Sequence, residues 1–403
     1  MKILLKNCTL PNYKKVNILI EESIFAEISS NVIRVKPDIE FDLAGKLVFP
    51  GIIDLSQNIF NTFDDKDKIS NESKSFLKGG VTSLINIEKN LKLQNSYDMN
   101  LINENSIVNL GESSIIDFFN DYSDKNAYMF NTLSIGNINV EDDDVEYWKW
   151  FQSRIIEIQN QSKVLFVSMK DPGINQFLKY IPKKDYKICF YDISSPNEIA
   201  RINNFKMEGF NFYIAFDVNL FFIYKEMIKN CIDEKRLSIT SGYSNVTNIQ
   251  FFINSLKKGL IDIVYSNHSP YMLWEKYELN KIGIPSSETL MPLMFELASF
   301  SNIRPDILSK VLCENISDIL EINGRGKIEV GFYADLTVID PERFWYISNN
   351  DIISNAKWTP HEGKRLWGVP IITILNGNIV HHSYDNVSFN QDDLHSSMLL
   401  ERR

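Results

Sequence analysis

The chain has 403 residues, of which 44% are hydrophobic and 23% charged, and its 42 basic and 52 acidic side chains give a formal net charge of −10. This composition is typical of a globular protein with one large and one small domain, and the acidic balance argues against nucleic acid or an anionic membrane surface as a partner. No apolar run reaches the roughly 18–20 residues that a membrane helix needs, and the absence of an apolar leader and of CxxC pairs among the four cysteines predicts a cytoplasmic protein with reduced thiols.

Short strand patterns occupy the start of the chain. Met1–Cys8 and Val16–Ile20 combine apolar and β-branched residues, and the turn residues Pro11 and Asn12 lie between them. Such short runs, separated by turn residues, predict β-strands.

The middle of the chain alternates between short apolar runs and longer charged stretches of helical character, such as Val145–Gln159 and Asn197–Met207. The apolar runs of strand length are Ser83–Ile87, Val164–Val167, Ile188–Tyr191, Phe212–Phe216 and Ile261–Tyr265. Alternation of this kind over about 270 residues is typical of parallel βα units and suits a TIM-like (β/α)8 barrel. Periodicity alone does not distinguish the barrel from an open, doubly wound sheet.

After Gly324 the pattern returns to strands, at Leu336–Ile339, Ile371–Leu375 and Ile379–Val380. Strands at both ends of the chain predict that the termini meet. We therefore expect an α/β fold in which a TIM-like (β/α)8 barrel carries a small β-sandwich domain built from both termini. The predicted boundaries are 51–324 for the barrel, 1–50 and 325–382 for the β domain, and 383–403 for a polar tail.

Four stretches of the chain together resemble one enzyme family. Gly45–Asp54 is similar to the segment that enters the barrel in the amidohydrolase superfamily. The resemblance is to the cyclic-amidase branch of that superfamily. It is strongest to dihydroorotase and extends to allantoinase and dihydropyrimidinase. The other three stretches are Glu72–Asn86, Asp262–Tyr271 with Gly283–Pro285, and Gly326–Asp340 with Lys357–Leu366. The resemblance covers essentially the whole chain and implies the barrel fold of a metal-dependent hydrolase.

The family's site holds two divalent cations, and the resemblance shows which residues stand at its positions here. In the family, a His-x-His pair, further histidines and a bridging carboxylate hold the cations, which lower the pKa of a bound water, and an aspartate moves the proton. In this chain Ser56 and Asn58 replace the His-x-His pair, Ser168 and Asp192 replace the middle-strand histidines, and Asn267 replaces the aspartate. Neutral hydroxyl and amide oxygens are poor zinc ligands, and an amide cannot accept the proton. We therefore expect no catalytic residue, no metal and no other cofactor.

The positions expected to bind substrate differ as well. The family's arginine after the second metal histidine corresponds to Phe60, and the asparagine of its second strand corresponds to Lys89. His268 is the only histidine of the predicted barrel, and its polar neighbours favour a hydrogen-bonded structural role over a role as ligand or base. The sequence therefore predicts a chain that retains the fold and has lost the chemistry.

Dihydroorotase-like chains without metal ligands occur in this family as partners of aspartate carbamoyltransferase. The resemblance therefore implies a non-catalytic structural or regulatory protein of pyrimidine biosynthesis, with no nucleic-acid or membrane partner. One alternative is an active cyclic-amide hydrolase, converting L-dihydroorotate to N-carbamoyl-L-aspartate, with a site rebuilt around Asp192 and Lys170. A separate possibility for the same region is an all-oxygen site for magnesium or calcium formed by Asp192, Asp217 and Glu88. A further alternative is a non-catalytic homo-oligomer of the dihydropyrimidinase-like kind, whose partner is a second copy of itself.

Overall fold

The computed structural model describes residues from both ends and from the middle of the chain. The described residues are 1–56, 66–87, 106–115, 132–135, 149, 152–153, 156, 164–168, 181, 185–223, 233, 235–239 and 248–383. Their strands form two sheets, one from the two ends of the chain and one from its middle.

The first sheet, called the terminal sheet, joins strands from both ends of the chain. Its strands are β1 (Lys2–Thr9), β2 (Lys15–Glu21), β3 (Ile24–Ser29), β4 (Ile39–Asp42), β5 (Leu47–Pro50), β14 (Leu336–Tyr346), β15 (Arg365–Leu375) and β16 (Asn378–His382). The hydrogen-bonded order is β16-β15-β14-β5-β1-β2-β3, and β4 also pairs with β1. Alternate residues such as Ile3, Leu5, Leu336 and Val338 are fully buried in one apolar cluster, as expected where one face of a sheet covers a core. The termini thus meet in one sheet, while its sandwich packing and the domain boundaries stay predictions.

The second sheet, called the parallel sheet, contains eight strands that pair in chain order. They are β6 (Ile52–Ser56), β7 (Val81–Asn86), β8 (Asn109–Ile115), β9 (Thr132–Ile135), β10 (Val164–Ser168), β11 (Ile188–Tyr191), β12 (Phe212–Asp217) and β13 (Ile263–Tyr265). Each strand runs parallel to the next. Ser266, which follows β13, donates its N–H to Asp54 of β6 at 2.7 Å, so the first and last strands also lie against each other.

Helices connect several of the parallel strands. They are α1 (Lys66–Lys78) between β6 and β7, α2 (Pro196–Met207) between β11 and β12, and α3 (Ile249–Lys257) between β12 and β13. After β13 follow α4 (Leu273–Glu278), α5 (Leu290–Ser301), α6 (Pro305–Ser309) and α7 (Asn315–Ile319). The start of α2 shows why these segments are helical. Ser195 accepts a hydrogen bond from the backbone of Glu198, whose carboxylate accepts one from the backbone of Ser195, and Pro196 occupies the first turn. This reciprocal capping satisfies backbone donors that a helix start leaves unpaired.

A pair of glycines joins α1 to β7 and brings the two sheets together. Gly80 has a φ of +84°, which a side chain rarely adopts. A Cβ at this position would also lie 2.6 Å from the side chain of Thr337 on β14, and the Thr337 hydroxyl donates to the Gly80 carbonyl at 2.7 Å. The glycine pair therefore forms a tight helix-to-strand turn, which anchors the parallel sheet on the terminal sheet.

Most strand predictions agree with the structure to within a few residues. Strands β8 and β9 were not predicted, because Asn109–Ile115 is largely polar and Thr132–Ile135 is very short. The predicted helix Val145–Gln159 and the tail 383–403 lie almost entirely outside the described residues. Within the part of the chain that is described, no helix has the length and apolar character needed to cross a membrane.

Candidate functional site

The carboxyl ends of the parallel strands meet at one edge of the sheet, where sites lie in folds of this type. Four of the residues predicted to mark a degenerate site lie at this edge and are buried: Ser56 ends β6, Ser168 ends β10, Asp192 follows β11, and Asn267 follows β13. The other three predicted residues, Asn58, Phe60 and Lys89, lie outside the described residues.

Ser56 and its neighbour Asp54 bond to the segment after β13. The Ser56 hydroxyl donates to the backbone carbonyl of His268 at 2.9 Å. Asp54 is fully buried and accepts the N–H and the hydroxyl of Ser266 on its two oxygens. Burial raises the pKa of Asp54 to about 6, although both bonds from Ser266 favour the ionised form. These contacts join the first strand to the last and leave the Ser56 hydroxyl committed to the backbone.

Ser168 and Asp192 bond directly to each other. The Ser168 hydroxyl donates to the Asp192 carboxylate at 2.6 Å, a distance typical of a charge-assisted bond. Asp192 has a φ of +60°, and its N–H faces the Tyr265 hydroxyl at 3.3 Å. Aspartate tolerates the left-handed region better than most residues. Two positions that would carry metal-binding histidines in the family therefore form a serine–aspartate pair between β10 and β11.

Asn267 belongs to a second carboxylate cluster, centred on Asp217 at the end of β12. The Asn267 amide donates to one oxygen of Asp217 at 2.8 Å, and the Asn219 amide donates to the other at 2.8 Å. The Asn219 amide also reaches the Ser266 carbonyl at 2.7 Å, and its oxygen accepts the Ser286 hydroxyl at 3.1 Å. Sequence reasoning did not identify Asn219 or Ser286 as members of the site. Asn219 follows Asp217 by two residues, a spacing that favours a local turn bond, and this was the available signal.

His268 is hydrogen-bonded through both ring nitrogens, as the sequence predicts. Its Nδ1 accepts the backbone N–H groups of Ser286 and Ser287 at 2.9 and 3.1 Å. A nitrogen that faces two donors carries no proton, so the proton of the neutral ring lies on Nε2. Nε2 is 2.9 Å from Glu72 of α1 and donates to its carboxylate. Both ring nitrogens are therefore occupied in holding residues 286–287 and α1 against the end of β13.

Glu72 is the most connected carboxylate of this region, and sequence reasoning missed it. Besides His268, it accepts the Ser354 hydroxyl at 2.9 Å and the Asn355 N–H at 2.5 Å. Its side chain is almost completely buried, on the face of α1 that also buries Ile69 and Phe76. Glu72 lies three residues after Ile69 and four before Phe76, so it is on the apolar face of the helix. An acid on an apolar face predicts a buried, hydrogen-bonded side chain, and this was the available signal in the sequence.

These residues do not fit the metal pair that the resemblance implies. Zinc prefers nitrogen and sulfur ligands, whereas the strand ends that are described present hydroxyl, amide and carboxylate groups that bond to one another. The nitrogens of His268 are both engaged. Among the described residues, no group of three or more histidine, cysteine, aspartate or glutamate side chains could hold a metal ion. The described groups of this region bind segments of the chain together.

Comparisons with known proteins find similarity to cyclic-amide hydrolases. It is 22% identical to the dihydroorotase of Fusobacterium nucleatum subsp. nucleatum, over 96% of this chain and 100% of that protein. It is 25% identical to the dihydroorotase of Carboxydothermus hydrogenoformans, over 91% and 94% of the two chains. The solved structure of a D-hydantoinase (dihydropyrimidinase) from Thermus sp. superposes with a TM-score of 0.81 at 17% identity, over 94% and 95% of the chains. No protein-family model matches the chain.

Both kinds of similarity extend over nearly the full length of the relatives, so they concern the whole fold and not one motif. The structure also shares the arrangement that the resemblance implies, with parallel strands in chain order and a sheet built from both termini. Together these findings show a dihydroorotase-like chain: its sequence is similar to dihydroorotases, and its fold is similar to that of a hydantoinase.

Proposed function

We propose that this protein is a catalytically inactive dihydroorotase-like chain of pyrimidine biosynthesis that serves in the cytoplasm as a structural or regulatory partner of aspartate carbamoyltransferase. The observation that carries this proposal is the bonding of the strand-end residues to one another. Ser168 bonds Asp192, and Asn267 bonds Asp217. The part of the proposal that names the partner rests on the family resemblance.

The fold that goes with this proposal is a closed TIM-like barrel over residues 51–324, with a β-sandwich domain from residues 1–50 and 325–382. The contact between Asp54 of β6 and Ser266 after β13 supports closure. The fold shared with the D-hydantoinase supports it as well. Hydrogen bonds among the strand-end residues preserve the shape of the barrel, so its outer surface stays available for binding a partner protein.

A hydrolysis assay with metal analysis tests the loss of chemistry. The purified chain, incubated with Zn²⁺ or Mn²⁺ and then desalted, is expected to retain no stoichiometric metal and to give no metal-dependent ring opening of dihydroorotate. The dihydroorotase of Carboxydothermus hydrogenoformans, treated in the same way, is the positive control. Stoichiometric metal together with metal-dependent ring opening would contradict the proposal.

A second candidate is an active cyclic-amide hydrolase with a rebuilt site. The names of the relatives favour it, since the curated relatives described above are dihydroorotases and the solved structure is a hydantoinase. Asp192 and Lys170 were the residues suggested for such a site; Asp192 bonds Ser168, and Lys170 lies outside the described residues. A screen of dihydroorotate, hydantoins and allantoin distinguishes the two candidates, because the non-catalytic protein should open none of these rings.

A further inference from the structure

In helix α4, which follows β13, a charged side chain is buried and a large apolar side chain is exposed, which is the reverse of the usual arrangement. Lys276 is completely buried, whereas Trp274 is 51% exposed and Leu279, just after the helix, is 54% exposed. Lysine is almost never fully buried unless it is paired, and large apolar side chains usually point inward. Residues 272–283, called the α4 segment, are therefore not held in place mainly by the burial of apolar side chains.

The buried ammonium group of Lys276 is held by neutral oxygens. Its Nζ donates to the carbonyl of Gly283 at 2.5 Å and to both the carbonyl and the hydroxyl of Ser238 at 3.1 Å. Within the part of the chain that is described, the hydrogen-bond partners of this Nζ are carbonyl and hydroxyl oxygens and include no carboxylate. Burying a charge without an opposite charge is costly, and hydrogen bonds to neutral oxygens offset only part of that cost.

Other contacts of the α4 segment with residues 233–239 are also polar. The Gly283 N–H donates to the Ser238 carbonyl at 3.0 Å, and Tyr277 donates to Asp233. The two ends are fixed independently of Lys276. Tyr271 accepts the indole N–H of Trp358 at 2.8 Å, and Ile284 accepts the Ser269 N–H at 2.9 Å. A segment with few buried apolar contacts, held by polar bonds between two fixed ends, is of the kind that opens locally.

We propose that the α4 segment is a lid that opens by releasing Lys276 into water, so that opening is linked to the charge on this side chain. In the closed state the lid lies across residues 235–239 and holds Gly283 next to the strand-end network. Residues 286 and 287 of that network bond to His268. This inference does not depend on the proposed function, since it concerns only the contacts of the lid.

The direction of the pH effect follows from the surroundings of Lys276. Burial lowers its pKa from 10.5 to about 8, and the charge of Asp233 opposes that shift. The charged or titratable groups near it are Glu275, Tyr277 and Glu278 on the lid helix, Lys281 beyond it, and Asp233, Lys235 and Arg236 on the facing segment. The open state, with Lys276 in water, binds the proton more tightly than the closed state. Raising the pH from about 8 to about 10 therefore favours the closed lid.

Hydrogen exchange of the full-length protein between pH 7 and pH 9.5 tests the lid. After correction for the chemical exchange rate, the protection factor of amides in residues 272–283 should rise by about tenfold for each pH unit above 8, the limit for one linked proton. Lys276→Met carries no charge and should show high protection with no such pH dependence. Lys276→Arg stays charged and should show low protection over the whole range.

Lys281→Met is the matched control, because Lys281 is an exposed lysine of the same segment, and it should keep the wild-type pH profile. The proposal is overturned if wild-type protection in residues 272–283 does not change with pH, or if Lys276→Met keeps the wild-type slope. It is also overturned if strands of the terminal sheet show the same slope, since the effect would then be global. Should Lys276→Met fail to fold, Lys276→Arg decides in its place, because a pH slope like that of the wild type in this variant overturns the proposal.

Discussion

At the scale of single residues, Asn267 stands where the family carries an aspartate, and its side chain belongs to a hydrogen-bond network. Its amide donates to the carboxylate of Asp217, which also accepts from Asn219. An ionised aspartate at position 267 could not donate that bond and would place two buried carboxylates side by side. The asparagine is therefore required by its neighbour, and restoring the family's residue should harm the fold.

Asn267→Asp tests this requirement. We expect the free energy of unfolding at pH 8 to fall by about 2–4 kcal/mol, because a charged hydrogen bond is replaced by carboxylate repulsion. At pH 5 the loss should be smaller, since a protonated carboxyl group at position 267 can donate to Asp217 again. Urea unfolding at both pH values measures the change. Asn280→Asp is the control, because Asn280 has a similar φ of +53° and is exposed, and it should change stability by less than about 0.5 kcal/mol.

Asp54 makes the stability of the protein depend on pH. Its pKa is about 6 in the folded chain, against an ordinary value of 3.8, so the folded state keeps a proton that the unfolded chain releases. Its contribution to stability is therefore fully present below about pH 4 and is lost as the pH rises to about 6. Relative to the wild type, Asp54→Asn should gain about 2–3 kcal/mol between pH 4 and pH 7. Urea unfolding across this range measures the difference, and a constant difference would show that Asp54 is ionised throughout.

At the scale of elements, one buried acid connects helix α1 to two distant parts of the chain. Glu72 joins α1 to His268 after β13 and to Ser354 and Asn355 before β15. The partners Ser354 and Asn355 are 282 and 283 residues away along the chain. A single side chain thus connects three parts of the fold, and it does so through four hydrogen-bond donors, including Ser75.

Glu72→Gln is expected to lower the free energy of unfolding by about 2–4 kcal/mol. The new amide nitrogen is a donor and must face either His268 or the donors of residues 354–355, which leaves buried groups unpaired. Urea unfolding at pH 7.5 measures the loss. Lys74→Gln, on the exposed face of the same helix, should stay within about 0.5 kcal/mol of the wild type. An equally small effect of Glu72→Gln would contradict the role given to this carboxylate.

The elements also show what the sequence could predict. Apolar runs located β10, β11 and β12, since these buried parallel strands are continuous apolar stretches. They did not locate β8, whose residues Asn109–Ile115 are mostly polar. The absence of a metal-ligand pattern was readable at Ser56 and Asn267. Their hydrogen-bond partners were not, because Asp217 and His268 come near them only through folding.

At the scale of the whole molecule, the fold favours a hydrolase, whereas the bonding of the described strand-end residues favours a non-catalytic protein. The fold agrees with hydantoinases over 94% of the chain, and similarity to dihydroorotases extends over most of it. The described strand ends, in contrast, bond to one another through Ser168, Asp192, Asp217 and Asn267. This bonding among the strand ends is what the proposed non-catalytic role predicts.

Affinity purification of the tagged protein from its own cells, followed by quantitative mass spectrometry, tests whether this protein is a partner of aspartate carbamoyltransferase. We expect the transferase to be recovered with the chain in near-equal amounts. The Asn267→Asp variant, where it folds, should recover it too, because the proposed partnership does not require catalysis at the strand ends. Recovery of the chain alone, as a homo-oligomer, would contradict the claim that this protein is a partner of the transferase.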